Sequence, residues 1–333
     1  VLERQKLRLA VNRFLAGEKV LATIEASRFN WGVISTTTGG SWKPGEPVGV
    51  PAMIMAAEPY NRLVRLVEGG HKVELEVEAD TRFYDDDPLA YNTIAEIPGT
   101  DPHGEIVMVG AHLDSWHAST GATDNGAGCA VAMEAVRILK ALDVKPRRTI
   151  RIALWTGEEE ALYGSFAYVA QHFASHPEPT DPIDKEIPEY FRGDDQGPLN
   201  LKPEYGKLSA YFNLDNGSGR IRGIYTEENA AVGPIFEAWL KPFHDLGATT
   251  VSPRREGATD HVPFVRAGLP GFQFIQDQLD YSTETHHTNM DSYDHLVPDD
   301  MKQASVVLAG FLYDAAMRPE KLPRKPLPLP RSK

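Results

Sequence analysis

Histidine and carboxylate side chains stand at or just beyond the ends of several short apolar runs in this sequence. In chain order they are His112, Asp114, Asp124, Glu158, Glu159, Glu160, Asp215, His286 and His287. Imidazole and carboxylate groups are ligands that zinc takes in proteins, and a catalytic zinc keeps one coordination position open for water. The residue types therefore predict a hydrolytic metal site.

The number of candidate ligands suits a pair of metal ions. Two histidines and three carboxylates can hold two ions if one carboxylate bridges them, and two neighbouring ions clamp and activate a hydroxide. A further carboxylate, free of metal, must then take the proton from the attacking water and pass it to the leaving amine. The consecutive glutamates at 158–160 can supply both a ligand and that base.

Each of these residues taken alone has a simpler explanation. A single His or Asp at the end of a strand is more often a helix cap or a satisfied polar residue. The glutamates at 158–160 are also typical of a helix N-terminus, where the helix dipole favours Glu. The pair His286 and His287 is also typical of a surface loop. The joint arrangement favours chemistry, because every piece falls at a consecutive strand end of one predicted sheet.

The predicted sheet comes from alternating apolar and helical segments after residue 92. Four apolar runs predict strands, at 106–112, 149–155, 208–215 and 271–276. The first two are almost continuously apolar, as is typical of strands buried on both faces of a parallel sheet. Helical segments lie between the runs, so we predict an α/β fold with a mostly parallel central sheet flanked by helices. Ligands of such sheets bind beyond the carboxyl ends of the strands, where the candidate residues lie.

The rest of the chain defines the predicted domain organisation. Residues 1–85 are predicted to form a smaller β-rich domain, because 72–83 (KVELEVEADTRF) alternates apolar and polar residues as a half-buried strand does. Residues 86–318 form the predicted catalytic domain, and 176–207 within it is a long Pro- and Asp-rich loop. Residues 319–333 are proline-rich and basic, so we expect a tail that is extended rather than packed.

Composition restricts the class of partner. The chain has 333 residues, with 34 Lys and Arg against 47 Asp and Glu, which gives a net charge of −13. Nucleic acid and anionic membranes require positive surface, so neither is an expected partner. Cys129 is the single cysteine, which excludes an intramolecular disulfide. The chain starts at Val1, from which we expect a removed leader and a secreted or periplasmic protein.

From about residue 92 to 318 the chain resembles the di-zinc exopeptidases, which include bacterial leucyl-type aminopeptidases and carboxypeptidase Q-like enzymes. Six motifs carry the resemblance, in the order GAHLDSW, TGATDNGAG, WTGEEEALYGS, NLDNGSG, ATDHVPF and HHTNMDSYDHL. As an ordered set they are specific, although each alone is weak. The resemblance implies a zinc-exopeptidase fold of the phosphorylase/hydrolase type, two Zn²⁺ per chain and peptide substrates with a free terminus. Relatives include dimers, which leaves a homodimer open, and the N-terminal residues loosely resemble part of a protease-associated lid domain.

The resemblance also implies which residue holds which metal. His112 and Asp215 would share one metal ion, and Glu159 and His287 would share the other. Asp124 would bridge the two ions, and the peptide bond that follows this residue is often cis in such enzymes.

The adjacent carboxylates carry the remaining roles that the resemblance implies. Glu158, the first glutamate of the family's pair, would be the general base. Asp114 would orient the imidazole of His112, as metal-bound histidines commonly require. Three consecutive glutamates also permit a shifted register, in which Glu159 is the base and Glu160 the ligand.

Three further residues have competing interpretations. His286 competes with His287 as a ligand, although the family's HT pairing favours His287. His261, in ATDHVPF, lies in a segment that lines the substrate pocket of relatives, and it is equally typical of a structural residue at a helix start. Tyr281 is a candidate for stabilising the tetrahedral oxyanion, although an ordinary loop tyrosine is the simpler explanation.

The sequence thus predicts a zinc-dependent exopeptidase that hydrolyses peptide bonds next to a free terminus in dipeptides or short peptides. Two other classes stay open: a glutaminyl cyclase-like transferase on a related one-zinc fold, and a non-catalytic binding protein on the same fold. All five candidate ligands and the base are present, which favours the enzyme.

Overall fold

A computed structural model describes residues 1–37, 39, 49–82, 84, 86–101, 103–194 and 196–327. The strands are β1 Thr23–Ala26, β2 Ala52–Met55, β3 Thr93–Ile97, β4 Ile106–His112, β5 Thr149–Trp155, β6 Ala174–Ser175, β7 Asn200–Leu201, β8 Leu208–Asn213, β9 Ile221–Tyr225, β10 Thr250–Ser252 and β11 Gly271–Gln276. The α-helices are α1 Leu2–Gly17, α2 Ala57–Glu68, α3 Ala127–Ala141, α4 Tyr163–His172, α5 Pro182–Glu186, α6 Gly233–Leu240, α7 Val262–Arg266 and α8 Pro298–Met317. Short 3₁₀ or π turns span Ala122–Gly126, Glu189–Arg192, Ala230–Val232, Lys241–Leu246, Tyr281–Thr285 and Tyr293–His295.

A seven-stranded sheet forms the centre of the molecule, in the order β10-β9-β11-β8-β4-β5-β3. β4 pairs in parallel with both β5 and β8, β11 is parallel to β8, and β10 is parallel to β9. Within this sheet, β3 pairs with β5 and β11 pairs with β9 in antiparallel orientation. The prediction of a mostly parallel sheet flanked by helices is confirmed, and all four predicted strands are present.

β4 is buried along its whole length because both of its faces are covered. Val107 and Val109 lie in one apolar cluster with residues of α3 and α8, while Met108 lies in a second cluster with residues of α4 and α7. Alternation of side chains along a strand explains this division between the two faces. Each fully buried side chain of this size contributes about 1.5–3 kcal/mol to folding. The apolar runs therefore fix the strands whose ends carry the polar residues.

The N-terminal region differs from the sequence prediction. In its described part, the helices α1 and α2 have 16 and 12 residues, while β1 and β2 have four residues each. The expectation of a β-rich region is therefore wrong for those residues. Residues 72–82 form no strand, and Phe83 lies outside the described residues. The alternating pattern supplies one apolar face, but a strand also needs a partner edge for its backbone hydrogen bonds.

The C-terminal residues 319–327 form no helix or strand, and the expectation that the tail does not pack is wrong for residues 321–325. Leu322 is only 2% exposed. The Arg324 guanidinium donates to the backbone oxygens of Tyr205 and Leu208, and the Lys325 ammonium donates to that of Glu227. Basic side chains of the tail thus bind carbonyl groups of the α/β region. Residues 328–333 lie outside the described residues.

The long segment 176–207 contains short ordered elements rather than a plain loop. α5, the turn Glu189–Arg192 and β7 all lie within it, and the Asp181 side chain caps α5 by accepting from the amide of Ile183. The Asp194 carboxylate binds both Arg255 and Arg266.

Among the helices that the structure describes, none has the length and apolar character that crossing a bilayer would need.

Candidate metal centre

The candidate residues meet at the carboxyl edge of the sheet because β4, β5 and β8 are adjacent and parallel there. His112 is the last residue of β4, in register with Trp155, the last residue of β5. Asp215 follows β8 by two residues, and the glutamates at 158–160 follow β5 after a short turn. Asp124 enters from the turn Ala122–Gly126, which precedes α3. The parallel register thus brings together residues that are up to about a hundred positions apart in the chain.

Two sets of ligand atoms share Asp124. The Nε2 atom of His112 lies 3.2 Å from Oδ1 of Asp124 and 3.4 Å from Oδ1 of Asp215. The Nε2 atom of His287 lies 3.3 Å from Oδ2 of Asp124 and 3.1 Å from Oε2 of Glu159. One oxygen of Asp124 therefore faces each histidine, which is the position of a carboxylate that bridges two ions.

The chemistry of this donor set fits zinc. Three buried carboxylate oxygens of this cluster have no hydrogen-bond partner among the described residues: Oδ2 of Asp124, Oε1 of Glu159 and Oδ1 of Asp215. Removing a charged carboxylate from water costs several kcal/mol unless another group compensates it. Nitrogen and oxygen atoms that converge in this way can be satisfied by a dication, and imidazole with carboxylate is a donor set of zinc.

Burial governs the electrostatics of the two glutamates. Glu158 is 9% exposed, and burial raises its pKa well above the ordinary range, with the charge on His112 opposing the shift. Burial also raises the pKa of Glu159 to about 7, opposed by its contact with His287. The cluster therefore concentrates negative charge that is poorly solvated, and bound cations would relieve that charge.

The position of Asp124 depends on a residue that the sequence interpretation missed. The carboxylate of Asp291 accepts hydrogen bonds from the Thr123 amide at 2.6 Å, the Thr123 hydroxyl at 2.8 Å and the Asp124 amide at 3.0 Å. The Asp124–Asn125 peptide bond is cis, as the resemblance implied. Asp291 lies in the motif HHTNMDSYDHL. Nothing in the spacing of that motif indicates that Asp291 binds the backbone of Asp124, 167 positions away.

Asp114 contacts His112 in a different way from the one expected. Nδ1 of His112 lies 2.9 Å from the backbone oxygen of Asp114, whereas the nearer carboxylate oxygen is 3.7 Å away. The carboxylate instead accepts from the amides of Glu158 and Glu159, at 3.2 and 3.1 Å. One residue thus supports both the imidazole of His112 and the turn that carries the two glutamates.

The geometry favours His287 over His286, and Glu159 over Glu160, as candidate metal ligands. Nε2 of His286 is 3.9 Å from Oδ2 of Asp124, and its ring lies against that of His287 at a centroid distance of 3.8 Å. His287 approaches both Asp124 and Glu159 more closely. Glu160 is exposed, and it belongs to none of the ligand clusters found among the described residues.

The two residues considered for substrate contact lie at different depths. His261 is fully buried, with Nε2 at 3.2 Å from the backbone oxygen of Glu256 and 3.4 Å from Oε1 of Glu227. His261 precedes the first residue of α7, and these contacts hold its imidazole against Glu227 and Glu256. Tyr281 is 8% exposed, and its ring packs on His286 at a centroid distance of 4.7 Å. The structure thus brings Tyr281, and not His261, against the histidine loop of the cluster.

A histidine–carboxylate cluster at the carboxyl edge of a mostly parallel sheet defines a candidate metallohydrolase. Residues 92–312 match the family described as peptidase family M28. The chain therefore belongs to peptidase family M28.

Curated relatives agree with the family. The chain is 28% identical to carboxypeptidase Q of Homo sapiens over 305 residues, which is 91% of this chain and 58% of that protein. It is 27% identical to aminopeptidase YwaD of Bacillus subtilis (strain 168) over 284 residues, which is 83% of this chain and 54% of that protein. The chain thus spans little more than half the length of these relatives.

Solved structures share the fold. The peptidase M28 precursor from Shewanella amazonensis SB2B matches with a TM-score of 0.66 and 25% identity, covering 93% of this chain and 62% of that one. BSAP, a zinc aminopeptidase from Bacillus subtilis, matches with a TM-score of 0.60 and 23% identity, covering 93% of this chain and 68% of that one. The second likeness concerns the fold alone.

Proposed function

We propose that this chain is a zinc-dependent exopeptidase that hydrolyses the peptide bond next to a free terminus of dipeptides or short peptides. The observation that carries the proposal is the pair of ligand sets that share Asp124. His112 and Asp215 would complete one zinc site, and Glu159 and His287 the other, which gives two zinc ions per chain. Membership of peptidase family M28 and the names of the relatives, carboxypeptidase Q and aminopeptidase, support this class of reaction.

The residues around the two sites divide the chemistry among them. When bound, the zinc ions supply Lewis acidity, which polarises the scissile carbonyl and makes a water acidic. The Glu158 carboxylate takes the proton of the attacking water and returns it to the leaving amine. A buried carboxylate with a raised pKa suits this shuttle, because it holds the proton between the two steps. Asp114 fixes the backbone amides of Glu158 and Glu159, and thereby the turn that carries the proposed base and the proposed ligand.

The substitution Glu158→Gln tests the mechanism. The amide keeps the shape of the side chain but cannot accept the proton, so we expect kcat to fall by about 10²–10⁴-fold. Zinc content should stay at the wild-type value, because Glu158 is not one of the five proposed ligands. Zinc is measured by atomic emission after dialysis, and turnover by release of free amino acid from a dipeptide. Full turnover with full zinc content would refute the role of Glu158.

The type of terminus is tested with a panel of dipeptides whose N- or C-termini are blocked. An aminopeptidase loses its substrates when the amine is acetylated, whereas a carboxypeptidase loses them when the carboxylate is amidated. Release of a cyclised product from N-terminal glutamine, without free amino acid, would instead indicate a glutaminyl cyclase-like transferase. No product from any peptide, with zinc bound, would indicate a binding protein.

A further inference from the structure

The backbone oxygens of His286 and His287 accept hydrogen bonds from a part of the chain that lies outside the family match. The Arg28 guanidinium donates to the backbone oxygen of His286 at 2.7 Å. The amide and hydroxyl of Thr36 both donate to the backbone oxygen of His287, at 2.8 and 3.1 Å. The match to peptidase family M28 begins only at residue 92. Contacts from residues 28 and 36 therefore reach the loop that carries a proposed zinc ligand.

Strand-like pairing extends these contacts along the loop. Ser35 forms an isolated antiparallel bridge with Thr288. The Asn289 amide donates to the backbone oxygen of Ile34 at 3.0 Å, and the Ile34 amide donates to the Asn289 side chain at 2.7 Å. Residues 286, 287 and 289 thus form hydrogen bonds with the segment 28–36, and the bridge places Thr288 opposite Ser35.

The segment 27–36 is itself fixed in place. Ser27 and Ser35 are 5% and 6% exposed. The Ser27 hydroxyl donates to the backbone oxygen of Val33 at 2.7 Å and accepts from the amide of Ser35 at 3.1 Å. The Ser27 amide also donates to the backbone oxygen of Met55, at the end of β2. Because its buried polar groups are hydrogen-bonded, this turn is rigid and can fix the position of a neighbouring loop.

Support from this segment matters because His287 has an unfavourable backbone conformation. Its φ is +57°, in the left-handed region that is strained for a residue other than Gly. In this conformation its Nε2 atom approaches Glu159 and Asp124. His112, in contrast, is the last residue of the central strand β4, and Asp215 follows β8 by two residues, so the core determines the positions of both. The two halves of the cluster therefore depend on different parts of the molecule.

We propose that Arg28 and Thr36 are positioning residues for the zinc site formed by Glu159 and His287, and not for the site formed by His112 and Asp215. This inference rests on the proposed two-zinc function. It assigns the N-terminal segment a part in building the metal centre. Removing the hydrogen bonds of Arg28 and Thr36 should lower the zinc affinity of one of the two sites selectively. Changes to groups that orient ligands typically lower metal affinity by about 10–100-fold.

The test compares zinc release from the full chain and from four variants: Arg28→Met, Arg28→Lys, the double variant Arg28→Met with Thr36→Val, and Arg62→Met. Arg62 is exposed on α2 and serves as the matched arginine control. Each protein is loaded with zinc and titrated with a chelator of known affinity, and zinc per chain is measured by atomic emission. Circular dichroism of the metal-free forms checks that each variant folds.

We expect two release steps from the wild type and the same two from Arg62→Met. In Arg28→Met, one step should move to a chelator strength about tenfold lower or more, the other should not move, and the double variant should extend this shift. Arg28→Lys, which keeps a donor and the charge, should restore part of the affinity. Unchanged steps in both the single and double variants, or equal weakening of both ions, would overturn the inference. A wild type that holds fewer than two ions would instead overturn the proposed function on which it rests.

Discussion

Asp124 shows how strongly a single carboxylate of this centre depends on its neighbours. Its two oxygens face two different histidines, so a rotation of the side chain would disturb both ligand sets. Asp291 fixes the backbone from which this side chain extends, by accepting from the amides of Thr123 and Asp124 and from the Thr123 hydroxyl. The side-chain amide of Asn125 also donates to the backbone oxygen of Leu214. The position of the proposed bridging carboxylate therefore depends on the hydrogen bonds of its neighbours.

Asp291→Asn should lower zinc affinity while keeping the side-chain shape. The amide replaces one acceptor with a donor, which then faces the amide of Thr123 or Asp124. We expect a loss of zinc affinity of about 10–100-fold, measured by competition with a chelator. Asp294→Asn is the control, because Asp294 is an exposed residue of the same loop that accepts from Ser292. Equal zinc affinity in both variants would show that Asp291 does not position Asp124.

His295 gives a pH dependence of stability that is separate from the metal cluster. Its Nδ1 lies 2.5 Å from Oδ2 of Asp280; burial lowers the pKa of His295, but the hydrogen bond to Asp280 and the negative charges of Asp280, Asp294 and Glu284 together raise it. A group whose folded-state pKa is raised stabilises the fold fully below its unfolded pKa, about 6.5 for His, and loses that effect as pH rises through the folded pKa. The wild type should therefore exceed His295→Gln in unfolding free energy at low pH, with a difference that shrinks as pH rises. Urea titrations at several pH values measure this, and a difference that grows with pH would contradict it.

At the scale of elements, β5 and α8 are joined by one buried arginine. Arg148 immediately precedes β5 and is 1% exposed. Its guanidinium binds Glu105 at 2.7 Å and the backbone oxygens of Ala315 and Pro319 at 3.2 Å each. The last turn of α8 leaves carbonyl groups without helical partners, and this side chain supplies donors to them. The strand that leads to the glutamates is thereby tied to the C-terminal helix.

Arg148→Met should destabilise the fold strongly. Methionine keeps the apolar stem but leaves Glu105 and the α8 carbonyls without their donor, and breaking a buried ion pair from one side costs about 3–5 kcal/mol. Arg137→Met is the control, because Arg137 pairs with Glu134 on the exposed surface of α3. Its effect should be far smaller. Denaturant unfolding of both variants measures the difference, and similar midpoints would contradict the role given to Arg148.

At the scale of the whole molecule, bound zinc should stabilise the native state by mass action. The carboxylates of the cluster are held close together only in the fold, so the native state binds zinc far better than the unfolded chain does. At a free zinc concentration of about 100 times Kd, the gain is about 2.7 kcal/mol per site. Thermal unfolding midpoints should rise with zinc and fall with a chelator, in a series measured by calorimetry. Midpoints independent of zinc would contradict a native-state metal centre.

Two expectations about the whole protein stay predictions: that it forms a homodimer, and that it is secreted or periplasmic. The structure is of one chain, and the relatives extend well beyond the part that this chain matches. Sedimentation at several protein concentrations would determine the oligomeric state.

Much of the centre could be predicted from the sequence because its residues lie at the ends of buried strands. Continuous apolar runs such as Ile106–His112 specify strands covered on both faces, and parallel strands bring their carboxyl ends to one edge. His112, Asp215 and the glutamates therefore had to converge. In contrast, the alternating segment 72–83 could not be assigned by its pattern, since a strand forms only where another edge accepts it.

The residue types and their order at the strand ends were readable from the sequence, because they follow from local patterns and from the edge that those patterns create, while the role of each candidate ligand was what the resemblance implied. The tertiary structure decided which oxygen of Asp124 faces which histidine and that His287, rather than His286, approaches Glu159. It also revealed Asp291 and the contact of Arg28 with the histidine loop. The last two contacts join residues more than 150 positions apart, and no local pattern encodes such a distance.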